Sequence, residues 1–342
     1  MLHTWRRRPS PQVFLALILV TLVGSAGLQE PQAGRLRDQP AGSSPTRHVD
    51  RAALMSFVRT LTAPALQGRR TGSPGGRQAR RILQHAFASA GLRPAGTEDY
   101  LQPFRFTQRS ALGAILPLPP WRVTYADAAN VVGRVDGTER GLAPLVVSAH
   151  YDHLGVERGL TFPGADDNAS GVAVLVAAAR HFATHPPSRP MLLVAFDAEE
   201  LGLRGAKHFL SAWDERSPPP ALNVNLDMVS RSERRELFAV GTHHSPWLRP
   251  LIEDVQRRSA VTIRFGHDQP GAPEDGLDDW TQQSDHGAFH ERGIPFLYFG
   301  VEDHADYHQP TDTADRIDPR FFGDAADAIL EALLTIDARG VP

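Results

Sequence analysis

Apolar residues in this chain fall into two alternating kinds of pattern, short unbroken runs and longer stripes of helical period. The runs are Leu145–Val147 leading into His150, Met191–Phe196, Ala221–Leu226 and Pro295–Phe299. Each has the length of a strand and is bounded by turn residues, which predicts four strands buried on both faces. Ala129–Val135 and the segment QPFRF around Phe104 predict two more. The stripes predict helices. Leu54, Phe57, Val58 and Leu61 share one face, as do Ala79, Ile82, Leu83, Ala86, Phe87 and Ala90, with Gly91 placed as a C-cap. Further helices are expected from Ser170, from Gly205 to Trp213, and from Phe321 to Ile336 with Phe322, Ala326, Ile329, Leu330 and Leu333 inward. Strands alternating with helices predict an α/β protein of three layers, with a central mostly parallel mixed sheet covered on both faces.

The first residues depart from this pattern. Arg6, Arg7 and Arg8 precede an apolar run from Val13 to Val23 and then GSAG, the layout of a secretory signal peptide over 1–28. That run falls short of the roughly 20 apolar residues of a spanning helix, so no stable membrane span is expected. Residues 29–49, rich in Pro, Gly, Ser and Arg, predict a flexible linker, and 50–342 a single α/β domain exported to the periplasm or beyond. A formal net charge of −3 gives no electrostatic case for nucleic acid. The absence of cysteine excludes disulfides and thiolate metal sites.

Chemistry gathers where the buried runs end. His150 closes the first, Glu199 and Glu200 follow the second, Asp227 the third, and His308 lies beyond the fourth; Asp167 sits on the turn entering a helix. Singly these are ordinary: an acidic pair suits a helix start and an aspartate suits a cap. Together they matter, because a parallel sheet brings its carboxyl ends to one rim, where such sheets bind ligands. Two imidazoles and three carboxylates suit Zn²⁺, and five donors suffice for two ions sharing one carboxylate. One of the adjacent glutamates can then face the ions and the other the substrate, as a proton acceptor.

The motifs HYDHLG, GADDNASG, DAEELGLRG, NLDMV and YHQPTDT, in this order, resemble the M28 zinc aminopeptidase family over roughly Asp50 to Ile336. The resemblance implies a zinc-exopeptidase fold and two zinc ions per chain. It implies His150 and Asp227 on one ion, Glu200 and His308 on the other, and Asp167 between them. Glu199 would be the general base and Asp152 would hold His150 in its tautomer. The Asp167–Asn168 peptide is expected to be cis. Tyr307 resembles a residue that helps hold the tetrahedral intermediate, and Asp285, in SDHGAF, one that supports the site. Arg204 and Ala206 stand where relatives often have an apolar residue and a serine. His153, His243, His244 and His304 have no assigned role, and Asp268, Glu274, Asp275, Asp278 and Asp279 read as a solvated acidic loop. The implied activity is removal of amino-terminal residues from peptides with a free amino terminus. Two alternatives stay open: glutaminyl cyclisation on the same fold, and a catalytically silent ectodomain. The oligomeric state is left open by the sequence.

Overall fold

In the computed structural model, which describes residues 47–109, 122–214, 216–269 and 278–342, the buried runs form the middle of a nine-stranded sheet. The expected signal peptide and residues 29–46 of the expected linker lie outside the described residues. In chain order the elements are α1 (Arg51–Leu61), α2 (Pro74–Ala90), β1 (Arg93–Pro94), β2 (Leu101–Arg109), β3 (Arg122–Val135) and β4 (Leu145–His150). A small hairpin, β5 (Gly155–Glu157) and β6 (Leu160–Phe162), precedes α3 (Gly171–Thr184), β7 (Met191–Phe196), α4 (Arg204–Ser211) and β8 (Leu222–Leu226). The chain continues through β9 (Glu236–Val240), α5 (Leu248–Gln256), β10 (Thr262–Arg264), α6 (His286–His290), β11 (Phe296–Gly300) and α7 (Pro319–Arg339).

The strand order is β1-β3-β7-β4-β8-β11-β9-β10, with β2 also beside β3. The four apolar runs are the parallel centre, β7-β4-β8-β11. The flanks reverse: β3 is antiparallel to β7 and β9 to β11, while β10 at the edge is again parallel to β9, so the sheet is mixed, with four parallel strands at its middle. Every residue of β4, β7, β8 and β11 is buried, as expected of strands covered on both faces.

Strand alternation divides the core in two. Leu145, Val147 and Ala149 of β4 and Met191, Leu193 and Ala195 of β7 pack with α1, α2, α3, α5 and α7. Val146, Leu192, Val194 and Phe196 point the other way, to Phe209 and Leu210 of α4 and Phe289 of α6. Helix ends follow their sequence signals. Ser73 accepts from Gly76 N at the start of α2, and Gly91 closes it with a left-handed φ of 90°. The last residues of the expected linker are tied down: His48 N and Val49 N both donate to Asp327 of α7. No helix among the described residues is long and apolar enough to cross a membrane.

Candidate metal centre

The parallel centre places its carboxyl ends in register, His150 beside Phe196, and Leu226 beside Phe299. His150 is the last residue of β4 and is 1% exposed; Asp227 follows β8, its N–H bonded to Phe299 O at 3.0 Å. Asp167 lies on the turn Ala165–Ser170, and the Asp167–Asn168 peptide is cis, as expected. Two anchors fix this turn. Asn168 donates from Nδ2 to Leu226 O at 2.9 Å and accepts from Gly171 N at 2.9 Å. From behind, Asp312 accepts the N–H groups of Asp166 and Asp167 at 3.0 and 3.1 Å.

Glu199 and Glu200 stand on a bend after β7, not on a helix. Ala198 takes a left-handed φ of 59°, Glu199 N donates to Asp152 Oδ1 at 3.0 Å, and the carbonyls of Ala198 and Glu199 accept from residues 202–204. His308 is on the loop beyond β11, with its side chain 36% exposed and its ring stacked on Tyr307 at 4.0 Å between centroids.

These elements converge on Asp167. His150 Nε2 is 3.3 Å from Asp167 Oδ1 and 3.2 Å from Asp227 Oδ1. His308 Nε2 is 3.0 Å from Asp167 Oδ2 and 3.3 Å from Glu200 Oε2. The two oxygens of Asp167 thus face two separate donor sets, His150 and Asp227 completing one and Glu200 and His308 the other. His153, which has no expected role, joins the second set, its Nδ1 2.7 Å from Glu200 Oε1.

Zinc fits this arrangement. Two donors at about 2.0–2.2 Å on a tetrahedral ion lie roughly 3.3–3.6 Å apart, close to the 3.0–3.3 Å that separate the expected ligands, and imidazole with carboxylate is a zinc donor chemistry. The charges agree. Burial alone would lower the proton affinity of His150, but Asp227, Glu199 and Asp167 raise it well above the usual imidazole range. Burial likewise lowers and Asp167 and Glu200 raise His308, to about 11. Burial pushes Glu200 up, as does Asp167, yet His153 and His308 hold it down at about 2. Such a cluster of buried carboxylates calls for positive charge, from protons or from an ion. Burial, with Glu200, Asp285 and Asp227, raises Glu199 well above the ordinary carboxyl range.

The surrounding residues refine the expectations. His150 Nδ1 meets the backbone carbonyl of Asp152 at 3.2 Å, while the Asp152 carboxylate stands 3.8 Å away. That carboxylate accepts instead from Glu199 N and from Thr71 Oγ1 at 3.2 Å. Asp285, fully buried beside α6, has no hydrogen-bond partner on either oxygen among the described residues, and burial with Asp227 nearby raises it to about 7. His304 meets Asp166 Oδ2 at 3.1 Å. Asp268 is buried and accepts from Gly241 N and His243 N, so it belongs to the frame rather than to a solvated loop, whereas Glu274 and Asp275 lie outside the described residues.

The sequence reading missed one stretch altogether. Arg69 is fully buried and donates to four carbonyls, those of Tyr151, Leu61, Pro163 and Gly164, at 2.5–2.9 Å. Burial lowers its guanidinium to about 10, against the pull of Asp167, Asp312, Asp152 and Glu200. Two residues on, Thr71 Oγ1 donates to Asp197 Oδ1 at 2.9 Å. The only local signal was two arginines inside a Gly-rich loop, LQGRRTGS.

The sequence matches the profile of Peptidase family M28 over residues 130–333. It is similar to Aminopeptidase YwaD of Bacillus subtilis, 31% identical over 195 residues, which are 55% of this chain and 40% of that protein. The chain therefore spans less than half of that relative. Among solved structures it is similar to BSAP, a zinc aminopeptidase from Bacillus subtilis, with a TM-score of 0.63, 18% identity and coverage of 83% of this chain and 94% of that one. It is also similar to a glutaminyl cyclase from an Acidobacteriales bacterium, with a TM-score of 0.63, 21% identity and coverage of 89% and 100%. At these identities the solved structures establish a shared fold.

Proposed function

We propose an aminopeptidase activity with two zinc ions for this chain, which belongs to peptidase family M28. The observation that carries the reading is the sharing of Asp167 between two donor sets, with Glu199 adjacent to a donor but outside both. Zinc bound there supplies Lewis acidity toward the scissile carbonyl and lowers the pKa of water to the range of neutral pH. His150, Asp167 and Asp227 would hold one ion and Asp167, Glu200 and His308 the other. Glu199 accepts the proton of the attacking water and delivers it to the leaving amine, a role its raised proton affinity suits. Asp152 fixes the bend that presents Glu199 by accepting its N–H, and orients His150 through its own carbonyl. Tyr307, stacked on His308, donates its hydroxyl to the developing oxyanion, Ser284 donates to Asp227, and the buried Asp285, near enough to Asp227 to feel its charge, supports the site from behind. The carboxylates at the rim hold the substrate's free amine. The basic and apolar first residues direct export.

The cyclase reading has the same fold behind it but leaves the second donor set without a use. The two separate in a panel of aminoacyl-anilides, their N-acetyl forms and a peptide beginning with Gln, followed by mass spectrometry. Free-amine substrates are expected to be cleaved and acetylated ones refused. Loss of ammonia without cleavage would replace this reading with cyclisation, and hydrolysis of acetylated substrates would replace it with a deacylase or endopeptidase. Glu199→Gln is expected to lower turnover by about 10²–10⁴-fold with zinc content unchanged, measured by elemental analysis beside steady-state kinetics.

A further inference from the structure

The second donor set holds one nitrogen more than the first, and that nitrogen stands closer to Glu200 than two ligands of one ion would. His153 Nδ1 lies 2.7 Å from Glu200 Oε1 and 3.6 Å from Asp167 Oδ2. Donors sharing a tetrahedral zinc would be roughly 3.3–3.6 Å apart, which the distance to Asp167 would allow, whereas about 2.7–2.9 Å, the distance to Glu200, is the length of an N–H···O bond to a carboxylate. The oxygens of Glu200 divide accordingly: Oε1 faces His153 and Oε2 faces His308, at 3.3 Å.

We propose that His153 is a positioning residue, whose Nδ1–H holds Oε1 of Glu200 so that Oε2 alone is offered to an ion. The inference rests on the two-zinc reading of the site. Three features of the fold hold the ring in this orientation. Its side chain is wholly buried. Its Cγ and Cδ2 lie against Gly164, which has a φ of 61°; a Cβ there would come within 2.7 Å of the ring. The Gly164 carbonyl is in turn fixed by Arg69 Nη2. His153 Nε2 is buried without a hydrogen-bond partner among the described residues, while Nδ1 faces a carboxylate oxygen that can accept, so the geometry calls for an N–H at Nδ1. A glutamate free to turn could offer both oxygens and fill a coordination position that a hydrolytic site keeps open. Held by one oxygen, Glu200 leaves that position free. His153 thus acts one bond away from the ions, as the partners of metal-binding side chains commonly do.

The test compares the wild type, His153→Ala and His153→Asn by zinc titration against a chromophoric chelator, with circular dichroism and melting recorded for each. The Asn side-chain amide puts an N–H near the place of Nδ1 without a ring nitrogen able to bind zinc. His153→Ala is expected to weaken one zinc by about 10–100-fold and leave the other unchanged, and His153→Asn to recover most of the loss. Unchanged affinity in His153→Ala overturns the proposal. So does equal weakening in both variants, whether folded or not, since the ring would then be a ligand or mere packing. A wild type that takes one ion counts against the two-zinc reading, while the Ala-to-Asn comparison is still decided on the ion it moves.

Discussion

The two sides of Asp167 are built from different material. On one side, His150 and Asp227 sit at the ends of adjacent central strands, and their side chains are 1% and 11% exposed. On the other, Glu200 stands on a bend and His308 on a loop eight residues past β11, with a side chain 36% exposed. The strand-borne side is fixed by the sheet's own ladder, with β4 paired to both β7 and β8. The loop-borne side is fixed by props: His153 behind Glu200, Asp312 behind the turn that carries Asp167, and Tyr307 against His308. Rigidity that comes free with a sheet has to be assembled, residue by residue, in a loop.

The largest effect should come from erasing the distinction. Asp167→Ala removes the one carboxylate common to both sides, so on the proposed two-zinc reading both ions should be lost and turnover should drop by roughly 10⁴-fold or more, about 5 kcal/mol in the barrier. Retention of one tightly bound zinc, by elemental analysis after gel filtration, would mean that one side binds independently of the shared oxygen. The comparison is sharpest between His150→Ala and His308→Ala, unfolded by denaturant in the presence of chelator. His150→Ala strips a buried carboxylate cluster of its partner and should destabilise the fold by about 3 kcal/mol. His308→Ala alters a partly solvated contact and should cost less than about 1 kcal/mol. Equal destabilisation would show the loop side to be as integral to the fold as the strand side. Each variant should also lose one zinc. The smallest effect on turnover is expected at a prop near the strand side: Thr71→Val removes hydrogen bonds to Asp197 and Asp152 and should lower turnover only a few-fold, while costing about 1–2 kcal/mol of stability. A change in zinc content in that variant would instead give Thr71 a part in binding.

The same division explains what the sequence made legible. The four central strands were readable because burial on both faces leaves unbroken apolar runs, and His150 and Asp227 because they end those runs. β9 and β10 were not read: β9 follows the charged stretch Arg231–Arg235, and β10 has three residues with only Ile263 buried. Glu200, His308 and Asp167 were suggestive by position and gained roles only through the family motifs. His153 escaped although it lies inside HYDHLG, because its meaning depends on a glutamate 47 residues away. Arg69 escaped for a related reason. A surface arginine and a buried one look alike until the carbonyls that surround it are known, and those come from segments up to 95 residues distant.

Arg69 has a consequence for the order of events in making the protein. It is a cation that cannot dissociate, set near the carboxylates proposed to hold zinc, yet its hydrogen bonds among the described residues all go to backbone carbonyls. Its four bonds go instead to backbone that must come together before the site exists: the end of α1, the residue after β4, and the two residues before the turn of Asp167. The chain therefore carries an internal template for its own binding loops, and assembly does not have to wait for metal. Loading then becomes a late and reversible event on a finished scaffold, so a chelated protein should keep its fold and regain activity on mixing with zinc, at the pace of ion binding rather than of refolding.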